Sequence, residues 1–436
     1  MSGRQPGEKL MQYVWQHRLW LPGDMRTRDG QALEVIDPGL LNNDAGPDFF
    51  NAKIRIGTEI WAGNIEIHVL ASDWHRHGHD ADPAYSNVVL HVVDTDDCTI
   101  MRADGTTILQ VVMTCARDFH QSYRRMVDNP TAGLACADEI RSLPSIYLTD
   151  WITALGFERL YAKADRVEEL VGRLDNNWRE AVYVTLARAL GFHTNSDAFE
   201  RLAIATPLSR MLHHHDNIEA IEGLLFGQAG LIPESTGTSA EDIYAARLAT
   251  EHRFLTTKYG LQQPCSLGWK MARMRPHNFP HRRIALLAAM VAGGFEIGRN
   301  IFNVRSLEDA YSLFRVRLSD FWQTHYTFEP SAGRPSAALS KNSADILIIN
   351  VVAPILYAYG RQYANIAMQE SAVDILHALP PEQNNVTRLF GQGGIDCDSA
   401  FTGQALLQLR RNYCEPRKCL YCRLGHRFLS QKALRR

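Results

Sequence analysis

Residues 48–69, DFFNAKIRIGTEIWAGNIEIHV, read as two strands joined at Gly57-Thr58. Phe49 to Ile56 and Glu59 to Val69 are rich in Ile, Phe and Trp, and the Gly-Thr pair between them is a turn signal. A hairpin closed there sets Asp48 opposite the Glu66 to His68 region, to within one residue of register. Side chains alternate along a strand, so Glu66 and His68 share one face while Ile65, Ile67 and Val69 share the other. Two carboxylates and an imidazole from neighbouring strands are what a divalent metal needs. A strand with one wet face alternates in the same way. What argues for chemistry is the Gly46-Pro47 break before Asp48 and the polar tract that follows.

That tract, Ser72-Asp73-Trp74-His75-Arg76-His77-Gly78-His79-Asp80, leads to Tyr85 and the strand-like run Val88 to Asp94. Five of the seventeen histidines fall between His68 and His91, and this clustering admits a second site, with His68, His75, His77, His79 and His91 around Zn2+ or Fe2+. A solvated loop with capping histidines accounts for His75, His77 and His79 equally. His91 differs, because a histidine inside an apolar strand needs a partner, which Asp73 or Glu66 can supply.

The length of 436 residues implies two domains, and a net charge of −2 with 22% charged residues describes an ordinary soluble protein. A nucleic-acid surface, if present, is therefore local. Eight cysteines in so long a chain do not form a secreted disulfide framework. With an amino terminus that lacks an apolar signal segment, they point to a reducing cytoplasm. The longest apolar run, Ile346 to Tyr359, contains Asn350 and Pro354 and is too short to span a membrane, so it reads as a buried helix.

Pro6 to Trp20 reads as a helix with a stripe of Leu10, Met11, Val14 and Trp15 opposite Glu8, Gln12 and Gln16. From Leu33 to about Val112 the period is two. Leu33-Val35, Asp48 to Ile56, Glu59 to Leu70, Val88 to Asp94 and Thr107 to Met113 are the strand candidates. Residues 1–140 are thus expected to form an α+β domain of one helix and mostly antiparallel strands. Residues 141–436 are expected to be all-helical, with helices over Leu148–Leu174, Asn177–Leu190, Asp197–Ile204, Asn217–Leu225, Ser239–Tyr259, Ile284–Val291, Leu307–Tyr326 and Ala344–Tyr359. Caps are expected at Thr149-Asp150, at Asn195-Ser196, and at Ser239 with Asp242.

Two further patches carry chemistry. Lys270, Arg273, Arg275, Arg282 and Arg283, interleaved with Trp269 and Phe279 and with no acid among them, suit phosphate contact and base stacking. A polar connector with internally paired arginines fits as well. In the tail, Cys414, Cys419 and Cys422 are spaced C-x4-C-x2-C, with His426 four residues on and Cys397 upstream as a further donor. Such donors can close a zinc site or hold an iron–sulfur cluster. Nine Lys/Arg and one acid, Glu415, between Arg410 and Arg436 suit docking on nucleic acid.

Several motifs in order resemble a bacterial family catalogued as domain of unknown function 2851. They are Glu66-Ile67-His68, Ser72-Asp73-Trp74 with His75 and His77, Asp82-Pro83-Ala84-Tyr85 to His91-Val92-Val93, Phe226 to Gly230, Arg275 to Pro280, and Tyr413-Cys414 with Cys419 and Cys422. That resemblance implies no activity. The first hundred or so residues are also similar to the core of the PD-(D/E)xK nuclease superfamily. This implies a restriction-endonuclease-like core, Asp48 and Glu66 as metal ligands, and an acid on the first helix, Glu8. The chain departs from the motif at His68, which stands where the family has lysine and lacks lysine's fixed positive charge.

The resulting expectation is a phosphodiesterase of the nuclease kind acting on DNA or RNA. Asp48, Glu66, His68 and Glu8 would form the site, and Mg2+ or Mn2+ would be held by Asp48 and Glu66. The alternatives are the His-rich metallohydrolase of a small molecule and a non-catalytic scaffold that binds nucleic acid or protein.

Overall fold

In the computed structural model, the described residues are 7–434, except 21–22, 24, 43, 103, 116, 129–132, 235–236, 263–265, 331–335 and 337. Contacts divide the chain into two compact units. One comprises 1–151, 389–395 and 409–436, and the other 152–388 and 396–408.

The first unit is built on a six-stranded sheet: β1 (Leu33–Asp37), β2 (Leu40–Leu41), β3 (Phe49–Ile56), β4 (Glu59–Leu70), β5 (Val88–Thr95) and β6 (Gln110–Val112). The order is β1-β3-β4-β5-β6, with β2 also paired to β3. β1, β2 and β4 run antiparallel to β3, but β4–β5 and β5–β6 are parallel, so the sheet is mixed where mostly antiparallel strands were expected. The reason lies between β4 and β5. Residues 71–87 form short helical turns, a crossover rather than a hairpin turn, so β5 returns in the direction of β4. The helix α1 (Glu8–Gln16) buries Leu10, Met11, Tyr13, Val14 and Trp15 and packs on β4. Pro6, which was to open it, lies outside the described residues.

The β3–β4 hairpin closes as the sequence requires, with Phe49 opposite Ile65 and Ile56 opposite Glu59. A bulge between Phe49 and Ala52, where Asn51 has φ +55°, bends β3 just after Asp48. Bulges re-aim neighbouring side chains and recur beside sites. Gly63 lets the next strand approach, since a Cβ there would meet Val89 Cγ1 at 2.3 Å.

The second unit is helical, with Trp178–Leu190, Ser196–Ala205, Ile218–Gln228, Ala240–Tyr259, Pro280–Ala292, Ala353–Gln362 and Ile366–Ala378 among its helices. Ser239 and Asp242 form the expected capping box. Thr149 and Asp150 do not cap, because the helix through them runs Ser145–Arg173. The expected helix over Leu307–Tyr326 ends at Ser312. Beyond it the buried Arg282 guanidinium takes the Trp322 carbonyl, and that of His325 at 3.4 Å, as acceptors, and continuous α-helix would have spent those groups on itself. One helix among the described residues, Lys341–Gln362, is long and apolar enough to cross a membrane, and 78% of its most apolar window is buried within the protein.

Candidate metal centre

The polar face of β4 is not wet. Glu66 is 5% exposed and His68 1%, because Trp74, His79 and Tyr85 from the crossover close over them. Buried polar groups are costly unless partnered, so this face must be internally satisfied or hold a ligand.

Three imidazole nitrogens gather at the edge of this face, with Glu66 beside two of them. His68 Nε2 lies 3.1 Å from His77 Nδ1. Glu66 Oε1 lies 3.3 Å from His68 Nε2 and 3.2 Å from His79 Nε2. The His68, His77 and His79 ligand atoms all fall within 4.8 Å of one another, a group that could hold a metal ion. Ligands 2.0–2.1 Å from a tetrahedral ion stand about 3.4 Å apart, close to the three separations just given, although Glu66 falls outside the group whose atoms all lie within 4.8 Å of one another. His79 Nε2 is buried and, despite its nearness to Glu66, makes no hydrogen bond.

A supporting shell orients these groups. His68 Nδ1 pairs with His91 Nε2 at 2.9 Å, and β4–β5 register sets Glu66 beside His91. Glu66 Oε2 accepts the Asp48 backbone N–H at 3.1 Å. Asp48 accepts Ile67 N–H at 3.0 Å through Oδ2 and the Gln12 amide at 2.8 Å through Oδ1. Tyr85 stacks on His79 with ring centroids 3.8 Å apart. Hydrogen bonds of this kind, made behind the ligand atoms, fix a ligand's tautomer and direction.

The electrostatics follow from burial. Desolvation raises both the Asp48 and the Glu66 carboxyls, and each also feels the charge of Glu8. Asp48 adds to the rise at Glu66. His68 is pushed down to about 2 by burial and by His91, His77 and His79, and His91 to about 3 by burial and His79. The imidazoles at 68 and 91 are therefore neutral at physiological pH, the form that ligates metals. Neutral His68 also cannot replace the fixed charge of a lysine.

Glu8, Asp48, Glu66 and His68 are thus gathered in one region, joined by His77, His79 and His91. His75 turns outward to Asp80 at 2.7 Å. Asp73 is buried but spent on Leu70 N–H and Arg76. Gln12, read from the sequence only as part of a polar helix face, holds Asp48. Its spacing of four from Glu8, one helical turn, was the available signal.

The arginine patch divides. Lys270, Arg273 and Arg275 are exposed, whereas Arg282 and Arg283 are buried. Arg283 donates to Asn278 Oδ1 at 2.7 Å and Ser343 Oγ at 3.2 Å and lies 4.0 Å over Phe192. Trp269 is likewise engaged, its indole donating to the Ala229 carbonyl at 2.8 Å. In the tail, the His426 ring bonds the Tyr13 hydroxyl and Ser430, and Cys397 belongs to the other unit.

A family model described as protein of unknown function (DUF2851) matches residues 8–385. The chain belongs to this family. The DUF2851 match begins at Glu8 and takes in the whole candidate centre, and it ends before Cys414, Cys419 and Cys422. No curated protein and no solved structure matches the chain.

Proposed function

We propose that this DUF2851 protein is a metal-dependent hydrolase, with Glu66, His68, His77 and His79 as the ligands and a nucleic-acid phosphodiester as the substrate. The observation that carries the reading is the gathering of the His68, His77 and His79 ring nitrogens within 4.8 Å of one another, with Glu66 Oε1 3.2–3.3 Å from two of them, at the edge of a buried polar face. Imidazole donors suit Zn2+ or Fe2+, whereas carboxylate and water suit Mg2+ and Mn2+, so a three-imidazole set favours Zn2+ or Fe2+ over the Mg2+ or Mn2+ expected from the sequence. The metal would polarise a phosphoryl oxygen and lower the pKa of bound water. Glu8 and Asp48 stand beside it as acids. Asp48, with its carboxyl raised by burial, serves as the base that takes the proton of the attacking water. His68 acts as a ligand, not as a charge.

A second reading, hydrolysis of a small molecule, is favoured by the nitrogen-rich ligand set. One assay separates them: chelator-stripped protein with Mn2+, Zn2+, Fe2+ or Mg2+ against single- and double-stranded DNA and RNA, and against small aryl phosphate and carboxylic esters. Cleavage of polynucleotide that disappears in Glu66→Ala and His77→Ala supports the phosphodiesterase. Cleavage of the small esters alone supports the second reading. No turnover with any metal, or turnover unchanged in both variants, removes both.

A further inference from the structure

We propose that Cys136, Cys414, Cys419 and Cys422 ligate a thiophilic metal centre, a zinc ion or an iron–sulfur cluster, with Cys136 as the fourth ligand. The sequence places Cys136 almost 280 residues before its partners, but the fold puts them in one unit, which gathers 1–151 with 409–436. Several contacts tie the two stretches together. Arg417 donates to the Val127 carbonyl, Arg423 pairs with Asp150 at 2.7 Å, and Trp151 meets Tyr413 edge-on at 5.2 Å. Cys136 feels the charges of Cys414, Cys422 and Cys419, and Cys414 those of Cys422 and Cys419.

Backbone geometry around Cys419 and Cys422 suits a pair of thiolate ligands. The chain turns tightly, with Cys422 N–H on the Cys419 carbonyl at 3.4 Å and His426 N–H on the Cys422 carbonyl at 2.8 Å. Gly425 is needed there, since a Cβ would meet the Cys419 oxygen at 2.1 Å. The backbone N–H groups of Leu424 and Gly425 face the Cys422 sulfur as it opens the helix Arg423–Leu434. A thiolate at a helix start is favoured by such donors. Trp151 contributes an independent sign: its Nε1–H is buried without a hydrogen-bond partner and lies where an ionised Cys422 would accept it.

Four thiolates are a full ligand set for zinc or for a cubane cluster. His426 and Cys397, the donors expected from spacing, are not needed.

The test uses the full chain carrying His77→Ala and His79→Ala, so that the N-terminal centre does not contribute, purified anaerobically without chelator. The expected result is about one zinc per chain without sulfide, or about four iron with equal acid-labile sulfide. The content should fall to background in Cys136→Ser and in Cys419→Ser and persist in Cys397→Ser. Two results overturn the proposal. One is a folded chain with neither metal whose thiols react freely. The other is full metal content in Cys136→Ser. Because the first is read on the unaltered cysteines, failure of a variant to fold does not shield the proposal.

Discussion

Glu66 Oε1 stands 3.2 Å from His79 Nε2, although one residue belongs to the middle of a sheet and the other to the crossover that covers it. The contact is not a hydrogen bond. Two ligand atoms this close without a hydrogen bond between them are held there by the surrounding fold, and a cation shared by them would make the arrangement favourable.

Glu66 should therefore limit the stability of the metal-free protein. Burial and Asp48 raise its carboxyl in the folded state, so the folded state keeps a proton that the unfolded chain gives up. Its contribution is intact below about pH 4.3, the unfolded value, and is lost as pH rises toward the folded one. Glu66→Gln is expected to raise the Tm of chelator-treated protein at pH 8, to leave it nearly unchanged at pH 4.5, and to abolish the Tm gain on adding Mn2+ or Zn2+. A lower Tm at pH 8 would contradict this.

Glu222 offers a cleaner pH effect in the helical unit. Its carboxylate is fully buried, accepting the Tyr244 hydroxyl and Ser319 Oγ at 2.6 Å, and is raised to about 7 by burial. Stability from the neutral form is present at pH 4 and is lost as pH rises through about 7. Glu222→Gln should stabilise by on the order of 2 kcal/mol at pH 8 and by little at pH 5, measured by urea unfolding. An equal effect at both values would contradict the assignment.

The arginines should separate by burial. Arg283→Ala removes a buried guanidinium and leaves the half-buried Asn278 Oδ1 without its donor, and should cost about 3 kcal/mol. Arg273→Glu with Arg275→Glu alters only exposed charge and should leave Tm within about a degree, since surface changes are small. If the helical unit contacts nucleic acid, the double variant should lose tenfold or more in low-salt affinity for an oligonucleotide, as expected from charge neutralisation. Unchanged affinity would remove these residues from any such contact.

Gly63→Ala drives a methyl into Val89 at 2.3 Å between two central strands. Overpacking of this kind costs about 1–3 kcal/mol, and because β4 carries Glu66 and His68, metal affinity should fall with stability. A variant with wild-type Tm would show that β5 yields freely.

How far the sequence told this in advance depends on range. The hairpin, and the placing of Asp48 opposite the Glu66 to His68 region to within one residue of register, were legible because alternation and a Gly-Thr turn are local signals; the exact register was not. The burial of the polar face was not, since Glu66 and His68 look like a wet face until Trp74 and Tyr85 fold over them. His77 and His79 were distinguishable from His75 only once the crossover's turns set their directions. Parallel pairing of β4 and β5, the irregular stretch after Ser312 and the nearness of Cys136 to Cys414 all depend on contacts remote in sequence. Arg282 and Arg283 were read as surface because charge in a polar loop usually is, and their burial rests on carbonyls and side chains supplied from elsewhere in the helical unit.

The most direct test of the centre is Co2+ titration of the chelator-stripped chain, carrying Cys419→Ser so that the tail thiols do not contribute. One ion per chain with visible d–d bands and no thiolate charge-transfer band is predicted, and both the bands and the binding should vanish in His79→Ala and Glu66→Gln. Absence of binding in the parent chain, or equal binding in both variants, would contradict a metal held by Glu66, His68, His77 and His79.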